Sequence, residues 1–268
     1  MKFLQIEVNK QNYLLDTDIV LELIHYEEPT RMSTQNEYIE GIINHKDKVV
    51  PIITIRKLLK FISFKDEQVS FIGKVEEQHR TWVEEFEASL YSGDKFTKTF
   101  DPHQCELGEW IDKNIACLRC NNHGFVDMLE KELVNVHEAL HNNGAKFFYE
   151  KDADKDEQMQ VIKKNADQTI AGLHKIEENI YKLTSAFEQI VLVQIDGVKI
   201  GLVVDRIDKT HDLDEKEFFR SRKNLSSESR YIQFVNYYDI EGTLMFSINF
   251  TQEFKELLGS TVEKDTTA

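Results

Sequence analysis

Cysteine is scarce, with three in 268 residues. An odd and small number argues against a disulfide framework and for a reducing compartment. Positive charge is short as well. Thirty-three Lys and Arg stand against 48 Asp and Glu, a formal net charge of -15. A nucleic-acid protein shows a basic patch, and an anionic membrane attracts basic segments, so neither partner is expected. No apolar run reaches the roughly 18 residues of a membrane span, and the opening MKFLQIEVNK lacks the apolar centre of a signal peptide. A cytoplasmic protein with no direct membrane insertion is expected. A glycine-rich phosphate loop, a nucleophile elbow and a Ser-His-Asp set are missing, so no enzyme is expected. Also missing are a phosphorylatable His in a kinase context and the acidic pocket of a receiver domain.

What remains is an ordinary globular composition, 41% hydrophobic and 30% charged, enough for one large or two ordinary domains. Residues 2–61 are β-rich. FLQIEV alternates, NKQN turns, and YLL resumes the strand. IVLELIHY is β-capable after a possible helical turn, and EYIEGIIN leads through the polar turn HKDK into KVVPIITI. Pro51 inside that last run implies an edge or bulge position. Arg56 to Phe61 starts a short helix.

Residues 62 to about 188 carry helical periodicity and few breakers. Val69–Gly93 forms one helix with a stripe Val75, His79, Trp82, Val83 and Phe86, ended at Ser92-Gly93. Residues 96–114 read as a loop followed by a short helix holding Cys105. Gly124–Gly144 is a third helix with Gly144 as its C-terminal cap. Gln158–Phe187 is a fourth, long helix with Ile162, Ala166, Ile170, Leu173, Ile180 and Leu183 on its core face. The acidic stretch 149–157 reads as a solvated helix start or linker. β character returns at Gln189, turns at Asp196-Gly197, and continues in a second strand over Val198–Asp208. Arg230–Leu258 supplies closing strands and a terminal helix, and residues 259–268 read as a flexible tail.

The chemistry-bearing residues concentrate between His79 and His141. His137 and His141 are spaced i, i+4, which puts both on one side of a helix, one turn apart. Two imidazoles so placed can share a metal ion. His79 and Cys105 could complete a tetrahedral set of three His and one Cys, a donor set that suits zinc. Scattered polar residues on solvated helices are the alternative at this stage. His103 could be a ligand or lie just outside the ligands, and His174 could also lie nearby. Trp82 and Trp110 are expected to pack around the site. His25, His45, His123 and His211 read as surface or loop residues. Cys117 and Cys120 form a C-x-x-C followed by His123, either half of a second metal site, a redox pair, or two small structural residues.

The order H-x-x-W (His79 to Trp82), C-x-L-G-x-W (Cys105 to Trp110) and H-x-x-x-H-N-x-G (His137 to Gly144) resembles the chemoreceptor zinc-binding domain, CZB. In that family the first His, the Cys and the paired His ligate zinc within a four-helix bundle. The resemblance spans about residues 68–185 and implies zinc held by His79, Cys105, His137 and His141. Four filled positions leave none for a substrate water, which implies a structural or sensory site. The family is associated with sensing zinc and oxidants such as hypochlorous acid. A similar input here implies that oxidation of the zinc-bound Cys105 thiolate frees helices pinned by the metal, so that zinc occupancy or Cys105 oxidation moves the bundle ends and alters the coupling surface.

The flanking β segments resemble the CheW-like chemotaxis coupling domain. The first carries Y-x-x-D (Tyr13 to Asp16), T-R (Thr30, Arg31), I-x-G-x-x-N (Ile39 to Asn44) and V-P-I-x-x-x-R (Val50 to Arg56). The second carries G-L-V-V-D (Gly201 to Asp205). Lys46 stands where the family has a partner-contacting Arg, Asp47 where it has a turn Gly, and Thr54 where it has an Asp. The two resemblances together imply an α+β chain, a CheW-like pair of small SH3-like β-barrels split by an inserted all-α four-helix bundle. The implied divisions are 1–64, first CheW-like part; 65–187, zinc-binding bundle; 188–258, second CheW-like part; and 259–268, tail. An even number of up-down helices returns the chain to the end of the bundle where it started, so such an insert fits in a surface loop.

By the same resemblance, the implied function is an adaptor between the cytoplasmic tip of a chemoreceptor and a CheA-type histidine kinase, with receptor contact near Ile24, Lys46 and Val50. Alternatives are a sensory scaffold using the same fold for other partners, motivated by the altered 44–47 turn, and a metal-bundle enzyme or oxygen carrier of hemerythrin type.

Overall fold

The computed structural model describes residues 1–32, 36–121, 123–150, 154–213 and 229–262. The chain divides into two compact units. One is Met1–Phe64 with Phe187–Ala268, and the other is Lys65–Ala186.

The β unit holds two five-stranded sheets, the pair of small β-barrels. The first contains β1 (Lys2–Val8), β2 (Gln11–Asp16), β8 (Arg206–Asp212), β9 (Ile232–Ile240) and β10 (Thr243–Phe250), in the order β8-β1-β2-β10-β9. The second contains β3 (Val20–His25), β4 (Ile39–His45), β5 (Lys48–Thr54), β6 (Gln189–Ile195) and β7 (Val198–Val204), in the order β3-β6-β7-β5-β4. Each sheet joins early strands to late ones through a parallel pair, β2 with β10 and β5 with β7. The two chain segments therefore form one folding unit despite the insert between them. Alternating side chains of both sheets meet in a shared core that includes Ile6, Leu15, Ile53, Val191 and Leu202, closed by Phe254 and Leu258 of α8 (Gln252–Val262).

Four two-residue hairpins have both central residues at positive φ: Asn9-Lys10, Lys46-Asp47, Asp196-Gly197 and Glu241-Gly242. This is the type I′ geometry whose twist matches that of paired strands. The first two achieve it without glycine, which costs about 1 kcal/mol for each such residue.

A buried ion pair ties the two β segments together. Arg56, at the end of the V-P-I-x-x-x-R pattern, donates from Nε to Asp205 Oδ1 at 2.6 Å and from Nη2 to Oδ2 at 2.5 Å. Asp205 ends the G-L-V-V-D pattern. It also accepts the Asn9 N–H at 2.7 Å, and Arg56 Nη1 donates to the Ile62 carbonyl at 3.2 Å. The guanidinium lies 5.1 Å over the Phe64 ring, which is 5.7 Å from that of Phe187. Both rings sit where the chain leaves and rejoins the β unit.

The β unit differs from expectation in several places. Val198–Asp208 is not one strand: it breaks at Asp205, and β7 and β8 belong to different sheets. The ion pair holds Asp205 at that break. β5 is an inner strand, yet Pro51 precedes its parallel ladder to β7, which begins at Ile52, so the missing N–H costs nothing on that side. The short helix is α1 (Ile55–Leu58). Residues 259–262 continue α8 rather than fraying, and the remainder of the expected tail lies outside the described residues.

The helical unit contains α2 (Phe64–Ser92), α3 (Glu106–Asn121), α4 (His123–Leu129), α5 (Asn135–Tyr149), α6 (Lys155–Glu178) and α7 (Ile180–Phe187). A π turn, Glu130–Val134, joins α4 to α5 in one rod. The expected long fourth helix breaks at Asn179 into α6 and α7. Gly144 does not cap a helix. It lies inside α5, buried, and a Cβ there would meet Trp82 Cη2 at 2.4 Å. Residues 151–153 of the expected acidic linker lie outside the described residues.

Candidate metal centre

Three elements bring the four singled-out side chains together. His79 sits on α2 in the buried stripe Val75, His79, Trp82 and Phe86. His137 and His141 project from α5 one turn apart. Cys105 is not within a helix. It follows the 3₁₀ turn Pro102–Gln104 with extended backbone and caps the start of α3, which runs to Asn121 rather than being short. Its carbonyl accepts the Glu109 N–H at 2.9 Å, and its Sγ accepts the Gly108 N–H at 3.4 Å. Glycine is required at 108, because a Cβ there would fall 1.7 Å from the Pro102 carbonyl oxygen.

One ligand atom from each of His79, Cys105, His137 and His141 lies within 4.8 Å of all the others. Ring centroids are 5.1 Å apart for His79 and His137, 5.7 Å for His79 and His141, and 4.8 Å for His137 and His141. All three imidazoles are buried, with exposures of 3%, 1% and 0% in chain order, and Cys105 is half-buried.

The hydrogen bonding is incomplete. His79 Nδ1 donates to the Val75 carbonyl at 2.6 Å, which aims Nε2 at the cluster. His137 Nε2 lies 3.1 Å from Cys105 Sγ. Among the described residues, His79 Nε2 and both ring nitrogens of His141 have no partner. Each such buried orphan costs about 1–3 kcal/mol. Burial, aided by the neighbouring imidazoles, pushes His137 down to about 2. Burial, then His79, pushes His141 down to about 4 against the pull of the nearby Thr99 carbonyl, which lies by the ring without completing a hydrogen bond, and burial lowers His79 despite the Val75 carbonyl. The rings are therefore neutral, the form that donates to a metal. Burial raises the Cys105 thiol, opposed by the N–H groups of Gly108 and Leu107. Three neutral buried imidazoles and a thiol converging from separate segments match the donor chemistry of zinc.

Aromatic rings close one side. Trp82 stands 5.3 Å from His141 and donates from Nε1 to the Thr99 carbonyl at 2.9 Å. Phe96 and Phe100, on the strap before Cys105, pack against Trp82. Ile72, Leu107, Leu129 and Leu133 form a further apolar cluster within the helical unit.

The remaining candidates lie elsewhere. His103 is exposed and pairs with Asp112 at 2.9 Å, and His174 pairs with Glu76 at 2.9 Å, so neither belongs to the cluster. Trp110 packs on Phe71 at 5.8 Å. Cys120 is an exposed free thiol, and the Cys117 side chain lies outside the described residues. His45 is not a simple surface residue: it is largely covered and lies 3.0 Å from Glu22.

In the β unit, Ile24 is half-buried beside Ile43, Val50 and Ile52. Lys46 is exposed and bonds Glu22 at 2.7 Å. Val50 is fully buried, so its side chain is not available to a partner. Strand alternation presents Val49 instead, at 63% exposure.

Comparison with known proteins agrees with the description of the first β segment and of the part of the helical unit that carries the cluster. The CheW-like domain model matches residues 2–82, and the chemoreceptor zinc-binding domain model matches residues 79–148, from His79 past His141. The chain carries a CheW-like domain and a chemoreceptor zinc-binding domain. Among solved structures it is similar to the scaffolding protein TtCheW from Thermoanaerobacter tengcongensis, at 13% identity and TM-score 0.43, over 92% of this chain and 88% of that one. No curated protein matches the sequence. No described helix is long and apolar enough to cross a membrane.

Proposed function

We propose that this chain is a chemotaxis adaptor with a metal-responsive insert. The β unit couples chemoreceptor tips to a CheA-type histidine kinase, and the helical unit holds one zinc ion through His79, Cys105, His137 and His141. The observation that carries the metal reading is the set of buried, partnerless nitrogens on His79 and His141, converging with His137 and the Cys105 sulfur. Zinc bound there supplies positive charge that holds Cys105 as a thiolate and links α2, α5 and the start of α3. The Val75 carbonyl keeps His79 oriented, and the Trp82, Phe96 and Phe100 rings keep water from one side. With all four protein donors engaged, the site suits sensing or structure.

The half-buried position of Cys105 supports oxidant access. Oxidation of Cys105 weakens its bond to the metal, and the released helices alter the coupling surface. On that surface Ile24, Lys46 and, in place of Val50, Val49 meet the receptor. A scaffold serving other partners is the second reading, favoured by the engagement of Lys46 with Glu22.

The test is kinase activity in receptor-containing membranes reconstituted with the zinc-loaded, the chelated and the hypochlorous-acid-treated protein. Output is expected to differ among the three, and Cys105→Ser is expected to remove the oxidant response. Equal output in all three states contradicts the sensory role. Absence of any coupling favours the second reading.

A further inference from the structure

The rod that carries His137 and His141 is not a plain α-helix. Just before His137, the Asn135 N–H donates to the Glu130 carbonyl five residues back, closing the π turn Glu130–Val134. One buried series along this rod steps by four, Phe125, Leu129, Leu133, His137 and His141, with Val126, Leu140 and Gly144 buried beside it. An α-helix turns once in 3.6 residues, so each step of four drifts by about 40°. Over the series the drift reaches about 160°, which would carry the histidine pair away from the face of Phe125. One extra residue in the turn takes back about 100° of it. The turn therefore keeps the apolar anchors and the two histidines on a common buried face.

A second helix holds the turn in place. Gly172 of α6 lies against it so closely that a Cβ would sit 2.3 Å from the Glu132 carbonyl oxygen and 3.2 Å from Leu133 Cα. One turn on, Lys175 pairs with Glu132. Beyond the turn, Gly144 admits the Trp82 ring. The segments on either side are thus separately anchored, and the π turn fixes the rotation between them.

We propose that the π turn, seated on Gly172, sets the register of His137 and His141 against His79 and Cys105, and that Gly172 is a positioning residue for the metal site. This rests on the reading that those four residues hold zinc. Removing one residue from the turn restores α-geometry and rotates the histidine pair relative to its anchors. Adding a methyl at Gly172 displaces the turn without touching any ligand.

Cobalt(II) binding to the full chain tests this, with affinity measured against a competing chelator and the thiolate-to-cobalt absorption band recorded. Deletion of Lys131, an exposed residue of the turn, is expected to weaken binding by roughly 100-fold and to change the band, whereas Lys131→Ala leaves both unchanged. Gly172→Ala is expected to weaken binding by roughly 10-fold with a shifted band. Ile180→Ala, a buried truncation in α7, is expected to lower the melting temperature and leave the band in place. Wild-type affinity and band in both the deletion and Gly172→Ala overturn the proposal. Should the deletion fail to fold, Gly172→Ala decides. A wild-type chain that binds no metal overturns the zinc reading, and the register proposal with it.

Discussion

Arg56 and Asp205 are buried in the β unit, and His79, His137 and His141 are buried in the helical unit. In the first set the guanidinium bonds through Nε, Nη1 and Nη2, and the carboxylate also takes the Asn9 N–H. In the second, three ring nitrogens find no partner among the described residues. The buried ion pair satisfies itself and needs only the fold, whereas the histidine cluster is costly until something outside the polypeptide completes it. A buried polar group is a structural device when its partners belong to the chain and a binding device when they do not.

The largest expected contrast follows metal removal. Free zinc a thousandfold above Kd stabilises the helical unit by about 4 kcal/mol or more, so a chelator is expected to lower that unit's melting transition and leave the β unit's in place. Tryptophan fluorescence follows the first, because Trp82 and Trp110 both lie in the helical unit, and hydrogen-exchange protection of the β-strand amides follows the second. The reverse perturbation is Arg56→Ala, which leaves Asp205 buried and unpaired. It is expected to destabilise the β unit by about 3 kcal/mol without changing zinc content, as read by denaturant unfolding and metal analysis.

Glu188 sharpens the comparison within the β unit. Burial, then Glu40 and Asp205, push its carboxyl up to about 8, against the pull of Arg56. Between the ordinary value of 4.5 and about 8, the folded chain keeps a proton that the unfolded chain releases. Stability is therefore fully present below the lower value and is lost as pH rises towards the upper one. Glu188→Gln is expected to flatten this dependence, seen as urea midpoints at pH 5 and 8.5 that differ less than in the wild type. The smallest effect is expected in the 45–48 hairpin, where Asp47 adopts φ 61°. Asp47→Gly is expected to stabilise the β unit by about 1 kcal/mol, measured in the same way.

Much of this was legible in the residues because local chemistry agreed with the fold. The strand alternation, the Asp196-Gly197 turn and the i, i+4 histidine pair each have a short-range cause. The four cluster residues could be singled out for the same reason, with resemblance joining pieces far apart in sequence. What could not be read depends on distant contacts. Arg56 and Asp205 each stood in a recognised pattern, but nothing local says that they meet across 149 positions. Gly144 read as a cap because glycine often ends helices, and only the Trp82 ring against it explains its presence inside α5. The break at Asp205 was hidden because Val198–Asp208 stays β-capable while the chain changes sheets. The π turn has a faint trace in the sequence, the series Phe125, Leu129, Leu133, His137 and His141, whose step of four outpaces the 3.6-residue period.

The most direct measurement is the zinc content of purified wild type, His141→Leu and His103→Ala, prepared without chelator. One zinc per chain is predicted for wild type and His103→Ala, and none for His141→Leu. In chelator, His141→Leu is also predicted to melt above the wild type, because an apolar side chain replaces an orphaned imidazole. Equal zinc in all three, or no zinc in the wild type, would contradict the assignment of this buried cluster as the metal centre.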